Sequence, residues 1–380
     1  MKDANDIFAA GRDGTYHACV GDNAFHDFRT YSEGYLEAAG KLLADIIDNN
    51  NLGGRDTLVH PILYAVRHSI ELAIKYANSY LIDKNLYTKI GPLSGHSLSD
   101  LHKRFNKASE LDRRLAASID GLAEFVSVLD AVDPGGQDFR YPIDKHDKQT
   151  LAGKRIVNLV AVRELHSSLK SVVLNLFQLV EDIDKERSLG SFINKLGNSA
   201  VNRPDLERLS KGLSRVEGST QAEWDAAQKH WVKELEVSNN VYRKAVTFIK
   251  QHRQFAANMG IQIPLNALTE DVLKKLLFAT RSPLTDIEVQ KLYREHINNH
   301  PYEVVAEINA LFYLGSIKHY SEEFELEYQR ELRELNGLEG DALELAKEES
   351  FLHVASKVNF HTCLKKGLDM VGYGHISNLT

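Results

Sequence analysis

Residues 61–75 read PILYAVRHSIELAIK, and the interpretation of the whole chain starts from this stretch. Ile62, Val66, Ile70 and Ile74 fall four residues apart, which places them on one side of an α-helix. Other apolar residues stand beside them on neighbouring positions. The pattern therefore predicts a helix that is largely buried in a core.

Four ionisable residues interrupt this apolar run: Arg67, His68, Glu71 and Lys75. Arg67, Glu71 and Lys75 are spaced four apart, so they lie one above another on one helix face. Two interpretations are open, because an unpaired buried charge is strongly unfavourable. In the first, the three form a buried ion-pair ladder, and His68 is hydrogen-bonded to a loop carbonyl. In the second, Arg67 and Lys75 bind a phosphate at a groove, and His68 transfers protons.

The composition is that of a folded protein and limits the classes of partner. The chain has 380 residues, 43% hydrophobic and 26% charged, enough for two or three domains with their own cores. Its net charge of −7 gives no overall attraction to nucleic acid, so a polyanion site requires a local basic patch. Two cysteines, Cys19 and Cys363, exclude a disulfide framework or a Cys-rich zinc site. Without a long apolar run, we expect a cytoplasmic protein with no membrane partner.

Helical periodicity runs through the chain, whereas the alternation typical of strands is rare, and we predict an all-α protein. A polar, Gly- and Ser-rich segment at 185–205 predicts a boundary between an N-terminal bundle, 1–185, and a helical C-terminal region, 186–380. Helices are predicted at about 31–49, 57–82, 113–130, 270–280 and 285–298. Another is predicted to begin at about 158, and a long one to run from the capping box at 220–223 to about 260.

Three helices carry detailed predictions. Ser32 is the expected N-cap of the helix near 31–49, and Ser97 the expected N-cap of a short helix after the Gly91–Gly95 turn. The expected apolar side of the first helix consists of Tyr35, Ala38, Leu42, Ala44, Ile46 and Ile47. The helix at 113–130 is expected to bury Leu115, Ile119, Leu122, Phe125, Val126 and Leu129.

Standard motifs of nucleotide-dependent and hydrolytic enzymes are absent, so we expect no cofactor. His296 and His300 stand four apart and could share a helix face as two metal ligands. They lack a nearby third ligand, and a surface pair before Pro301 explains them as well. We therefore predict no metal site.

Three separated motifs in the N-terminal region resemble those of bacterial HEPN-like helical proteins. RHSIELAIK at 67–75 is followed by GHSLSDL at 95–101 and by FRYP at 139–142. In that group an arginine–histidine helix precedes a Gly-His-x-Leu turn and a Phe-Arg-Tyr-Pro loop. YSEGYLEAAGKLLADII at 31–47 is similar to its lead-in helix, and INALFYLGSIKHYSEEFELEY at 308–328 resembles its companion region. The N-terminal resemblance covers about residues 28–183.

The resemblance implies a compact up-and-down helical bundle, often dimeric, and a function directed at RNA. Many HEPN proteins are metal-independent ribonucleases of bacterial antiviral or toxin systems. On this basis we expect Arg67, His68 and His96 to be catalytic, with the histidines carrying protons and Arg67 stabilising the phosphorane. The expected substrate-binding residues are Glu71, Lys75, Arg140 and Tyr141. The expected partners are RNA and either a second copy of the chain or a partner protein.

The sequence departs from the HEPN ribonuclease pattern in one place. Those enzymes separate the arginine and the histidine by four to six residues, whereas Arg67 is followed directly by His68, with no histidine five to seven positions later. Arg294 and His300 match that spacing, but outside the similar segment. They form the alternative catalytic pair.

The alternative function is a non-catalytic HEPN-like scaffold for dimerisation or partner binding. In it, Arg140 pairs with Glu71 and clamps its loop over the helix. The burial of the charged residues distinguishes the two functions. Full enclosure and mutual pairing of Arg67, Glu71 and Lys75 favours the scaffold, whereas an open, positively charged cleft favours the ribonuclease.

Overall fold

The structure is a computed structural model that describes residues 14–23, 27–144, 146–191, 201–214 and 220–378. Every regular element in these residues is a helix, and an isolated β-bridge joins Ile143 to Gln149. The predicted all-α fold class is therefore confirmed. No helix in the described part is both long and apolar enough to cross a membrane. The chain divides into two compact units, Met1–Lys185 and Glu186–Thr380.

Unit 1 is built around the helix that contains the opening stretch. This helix, α2, packs along α1 and against α3 and α4, and fifteen of its 29 residues are buried, which its apolar sequence explains. The helices of unit 1 are α1 (Phe28–Ile47), α2 (Arg55–Asp83), α3 (Leu98–Phe105), α4 (Arg113–Asp130) and α5 (Leu159–Ser188), whose last residues pass the unit boundary. Short 3₁₀ helices lie at Gly14–Tyr16, Gly21–Asn23, Leu52–Gly54 and Asn106–Glu110.

The buried side of α1 differs from the predicted one. Leu36, Ala39 and Leu43 are buried, whereas Ala38 is exposed and Tyr35 only partly covered. Ser32 is not the N-cap, because Asp27 accepts the hydrogen bond from Thr30 N. The Ser32 hydroxyl is instead buried inside the bundle and donates to the Ser69 carbonyl of α2 at 2.8 Å. Relative to the predicted orientation, α1 is rotated about its axis, and part of its predicted apolar side lies outside the core.

Unit 2 contains the remaining helices. The capping box predicted at Thr220 is confirmed, and Thr285 forms a second capping box with Glu288 at the start of α11. The single long helix predicted to about 260 is wrong, because Glu236 has a φ of +53° and Ser238 caps a new helix. The helices are α6 (Arg203–Leu213), α7 (Gln221–Glu234), α8 (Asn239–Gln251), α9 (Arg253–Asn258), α10 (Glu270–Ala279), α11 (Asp286–His296), α12 (Tyr302–Ile317), α13 (Glu323–Leu335), α14 (Gly340–Ala355), α15 (Phe360–Met370) and α16 (Gly374–Ser377). Residues 192–200 of the predicted linker lie outside the described residues.

Candidate functional site

The predicted polar residues of α2 and one loop histidine meet at a single buried carboxylate. Glu71 Oε1 accepts hydrogen bonds from Lys75 Nζ at 2.8 Å and faces His96 Nδ1 at 2.9 Å. Its Oε2 accepts from Arg67 Nη1 at 3.2 Å and lies 3.9 Å from His68 Nδ1. We call these five residues the Glu71 cluster. The spacing of four residues in α2 accounts for the Arg67 and Lys75 contacts, since residues i and i+4 are neighbours on a helix.

Arg67 is enclosed, with only 1% of its side chain exposed. Its Nε donates to the Asp133 carbonyl at 2.9 Å, and its Nη2 donates to the His96 carbonyl at 2.6 Å. Arg67 therefore joins α2 to the loops that follow α4 and precede α3. Gly136 lies against the guanidinium, because a Cβ added at that glycine would stand 3.0 Å from Arg67 Nη1.

Asp133 belongs to this arrangement, although no spacing in the sequence pointed to it. Its side chain is fully buried, and its Oδ2 lies 3.3 Å from Arg67 Nε. Its Oδ1 accepts hydrogen bonds from the backbone N–H groups of Gln137 and Asp138. The Asp-Pro-Gly-Gly sequence at 133–136 is a turn signal of the kind in which an aspartate bonds to its own backbone. That signal could have identified the turn, but not its contact with Arg67.

His96 is the member of the Glu71 cluster that reaches solvent, with 64% of its side chain exposed. The turn before it requires glycine, since Gly95 has a φ of +91°, and Ser97 then caps α3 as predicted. When Nδ1 donates to Glu71, the neutral ring carries its lone pair on Nε2. The geometry thus orients an accessible imidazole against a buried carboxylate, which is an arrangement able to transfer protons.

The electrostatics of Glu71 favour the charged carboxylate. Burial raises the pKa of Glu71, but interactions with His68, Lys75 and His96 outweigh it and hold that pKa well below its usual range. The carboxylate therefore remains ionised at neutral pH. It can orient its basic partners without itself supplying a proton.

Arg140 and Tyr141 lie on the exposed side of this region rather than on Glu71. The Arg140 guanidinium is 5.5 Å from the centroid of the Tyr64 ring and 5.2 Å from that of Tyr141. Tyr64 stacks on His68 with ring centroids 5.2 Å apart. Within the described residues no ion pair joins Arg140 to Glu71, whose two oxygens already face Lys75, His96, Arg67 and His68.

An aromatic groove opens beside the Glu71 cluster, between the first half of α1 and the second half of α2. It has a volume of about 880 Å³. His68 is one of its lining residues. The other lining residues that matter here are Phe28, Tyr31, Tyr35, Tyr76 and Tyr80. We call this feature the α1–α2 groove.

The alternative pair, Arg294 and His300, lies in unit 2 and shows no mutual contact. Arg294 is exposed on the last turn of α11, and no hydrogen bond or ion pair joins it to His300 in the described part of the chain. His300 follows the end of α11 at His296, so His296 and His300 do not share a helix face. Among the described residues, no group of three or more His, Cys, Asp or Glu side chains is arranged to hold a metal.

Comparison with known proteins assigns no relative to the chain. No protein-family model matches it. No curated protein and no solved structure matches it either.

Proposed function

We propose that unit 1 is a HEPN-like module that binds a protein partner and in which Arg67 has a structural role. The observation that carries this proposal is the enclosure of Arg67, which is 1% exposed and bonded to Glu71 and to two loop carbonyls. A guanidinium in this setting holds the loops to α2. It presents no surface to a phosphodiester.

The α1–α2 groove supplies the surface for a partner. Tyr31 is 55% exposed and Phe28 44% exposed, although both are large apolar or amphipathic residues. Tyrosine and phenylalanine are enriched where proteins bind one another, because a rigid ring buries much area and loses little entropy. A second hollow of about 340 Å³ shares Tyr31 and Tyr35 with the groove and extends it along α1. A second copy of this chain is the first partner to test.

Sedimentation velocity over a range of concentrations tests this proposal. We expect the wild type to self-associate, and the double variant Phe28→Glu/Tyr31→Glu to lose that association, because charges placed in an apolar interface must be desolvated. Ile287→Glu/Val358→Glu is the matched control, since these are two apolar residues of unit 2 that are 79% and 85% exposed. An association that survives in the groove variant, or a wild type that stays monomeric throughout, contradicts a second copy as the partner.

A second candidate function is metal-independent RNA cleavage at the Glu71 cluster, as in antiviral or toxin ribonucleases. The observation that favours it is the exposed imidazole of His96, whose Nδ1 lies 2.9 Å from the buried Glu71 carboxylate. In this function His96 and His68 transfer the protons, and Arg140 and Tyr141, on the loop beside His68, contact the RNA. Cleavage needs a base for the 2′-hydroxyl and an acid for the leaving oxygen.

The test is cleavage of RNA by purified protein in the presence of EDTA. Under this function, His96→Ala and His68→Ala each lower the rate by about 100-fold or more, the usual contribution of a general acid or base. His353→Ala is the control, because His353 is an exposed histidine of α14. Full activity in His96→Ala, or no activity in the wild type, removes this candidate and leaves the partner-binding proposal unaffected.

A further inference from the structure

The two ends of α2 carry surfaces of different character. At its start, His60 lies beside the segment that precedes α5, and both line one cleft. At its end, Asp83 lies in the wall of the α1–α2 groove. With a rise of about 1.5 Å per residue, His60 and Asp83 stand about 35 Å apart along the helix. The segment before α5 therefore cannot reach this end of the groove in its own chain, but the same segment of a second copy can.

Residues 154–157, Lys-Arg-Ile-Val, form an exposed segment that is both basic and apolar. We call it the 154–157 loop. Ile156 is 89% exposed and Val157 38% exposed. In the described part of the chain, the side chains of Lys154 and Arg155 have no ion-pair partner. Aliphatic surface left in water beside unpaired cations is typical of a contact site. A surface that fits this loop must offer carboxylates and apolar area together.

The end of the α1–α2 groove that is formed by the start of α1 and the last turns of α2 offers this combination. Asp27 and Asp83 line it together with Phe28, Tyr31 and Tyr80. Tyrosine and phenylalanine rings suit both parts of the loop, because their faces attract a lysine or arginine cation and their area packs against aliphatic side chains. The loop and the groove are thus complementary in charge and in apolar character.

Asp83 is the groove carboxylate that most needs a cation. It is exposed and has no ion-pair partner among the described residues. It is also the last residue of α2, where the helix dipole is negative and disfavours a second negative charge. The neighbouring Lys84 does not neutralise it, since Lys84 Nζ lies 3.7 Å from Asp184 and over the Tyr80 ring. A cation supplied from outside the chain would remove this unfavourable interaction.

We propose that the 154–157 loop of one copy binds in the α1–α2 groove of the next copy. Lys154 and Arg155 face Asp83 and Asp27, and Ile156 packs on the aromatic rings. The inference rests on the proposed function, because it names the segment that fills the groove when a second copy is the partner. The contact joins two different surfaces, so each pair of copies keeps an unused loop and an unused groove. Association therefore continues beyond the dimer, into a ring or an open filament.

Sedimentation velocity of the full chain over a range of concentrations gives the first test. We expect the wild type to form species larger than a dimer as its concentration rises. Lys154→Glu/Arg155→Glu should weaken association about tenfold or more, since it replaces attraction to the groove carboxylates with repulsion. The matched control is Lys41→Glu/Lys291→Glu, which makes the same charge change at two side chains that are 75% and 71% exposed.

Mixing two defective variants gives the sharper test. The groove variant Phe28→Glu/Tyr31→Glu retains an intact loop, and the loop variant Lys154→Glu/Arg155→Glu retains an intact groove. Each should be monomeric alone. An equimolar mixture should form a complex of one copy of each and nothing larger, because a single functional contact remains between them. Formation of this complex also shows that both variants are folded.

The outcomes separate this inference from the proposed function. If the loop variant associates like the wild type while the groove variant does not, the loop is not the occupant, and a second copy still binds the groove through another surface. Two monomeric variants that form no complex when mixed also overturn the inference. A wild type that stays monomeric overturns both the inference and a second copy as the partner.

Discussion

Each unit of the molecule contains a buried glutamate that holds an arginine and a histidine, and the two sets differ in their access to water. In unit 2, Glu322 Oε1 lies 3.1 Å from Arg203 Nε and 3.3 Å from His252 Nε2. Burial raises the pKa of Glu322, but His252 and Arg203 together hold that pKa well below its usual range. The partners of Glu71 lower the pKa of Glu71 in the same way. We call these three residues the Glu322 cluster. The two clusters have the same kinds of charge and the same sign of pKa shift.

The histidines separate the two clusters. His252 is 9% exposed, stacks on Phe255 at 4.2 Å, and its Nδ1 accepts the Phe255 N–H at the start of α9. Its Nδ1 therefore caps α9, and its Nε2 faces Glu322 inside the fold. His96 has one nitrogen on Glu71 and most of its ring in solvent. A lowered carboxylate pKa is thus common to a closed structural cluster and an open one, and access decides which of them can act on a ligand.

The largest effect that can test this comparison is expected from Arg67→Met. The substitution leaves the buried Asp133 without its cation and removes one of the two cations that pair with Glu71, which keeps Lys75. Breaking a buried pair in this way costs about 3–5 kcal/mol. Guanidinium unfolding followed by far-UV circular dichroism detects both units. Tryptophan fluorescence follows unit 2 alone, because the chain has two tryptophans, Trp224 and Trp231. We expect the variant to shift the dichroism transition and leave the fluorescence transition in place.

Arg203→Met is the counterpart in the Glu322 cluster and should move the fluorescence transition. Arg203 is 11% exposed and also lies over the rings of Phe255 and Tyr320, so its loss removes packing as well as charge. If Arg67→Met lowered the free energy of unfolding by less than about 1 kcal/mol, the Arg67 contacts would contribute little, which would contradict the structural role proposed for Arg67.

Lowering the pH should destabilise both clusters, and Glu71→Gln should remove the share of this pH-dependent loss of stability that belongs to unit 1. The pKa of Glu71 in the folded protein lies below its ordinary value of 4.5, so the folded state binds fewer protons than the unfolded state. The resulting stabilisation is present above pH 4.5 and is lost as the pH falls through the folded value. Thermal unfolding at pH 6, 4 and 3 by circular dichroism measures it. An identical decline in wild type and Glu71→Gln would contradict the assignment.

A smaller effect is expected at the glycine that packs on Arg67. Gly136 has a φ of +72°, and a Cβ there would stand 3.0 Å from Arg67 Nη1, so Gly136→Ala should destabilise unit 1 by about 1–3 kcal/mol. Gly135→Ala is the matched control, because its added Cβ meets no atom within 4 Å and its φ is not left-handed. The two variants should differ in denaturant midpoint. Equal midpoints would show that the loop yields to the added methyl group.

The sequence predicted the buried face of a helix where the apolar residues follow one clear helical period. The helix predicted at 113–130 is α4, Arg113–Asp130, and its six expected apolar residues are all buried. Its apolar residues recur at one helical period, so only one face can be the inner one. In α1, apolar residues occur in adjacent pairs such as Leu42 and Leu43, and periodicity cannot tell which of the two is buried.

The candidate site shows the same division. The spacing of Arg67, Glu71 and Lys75 predicted their contacts, because neighbours on a helix surface follow from the chain alone. Asp133 contacts Arg67 across 66 residues of sequence. The tertiary fold brings the two together, so no spacing in the sequence indicates their contact. The sequence likewise named His96 through its Gly-His turn, whereas the hydrogen-bonding distance to Glu71 became apparent only in the structure.

The smallest expected effect tests the comparison most directly, because it removes one histidine from each cluster. His96→Ala takes away the exposed partner of Glu71, which keeps Lys75 and Arg67. One such hydrogen bond contributes about 0.5–1.5 kcal/mol, so unit 1 should keep most of its stability. His252→Ala removes a stacked, buried ring and a helix cap and should destabilise unit 2 by about 2 kcal/mol or more. Denaturant midpoints by circular dichroism and by tryptophan fluorescence measure the two changes separately. A destabilisation at His96 as large as that at His252 would show that His96 holds the loop to α2 and is not the ligand-accessible member of its cluster.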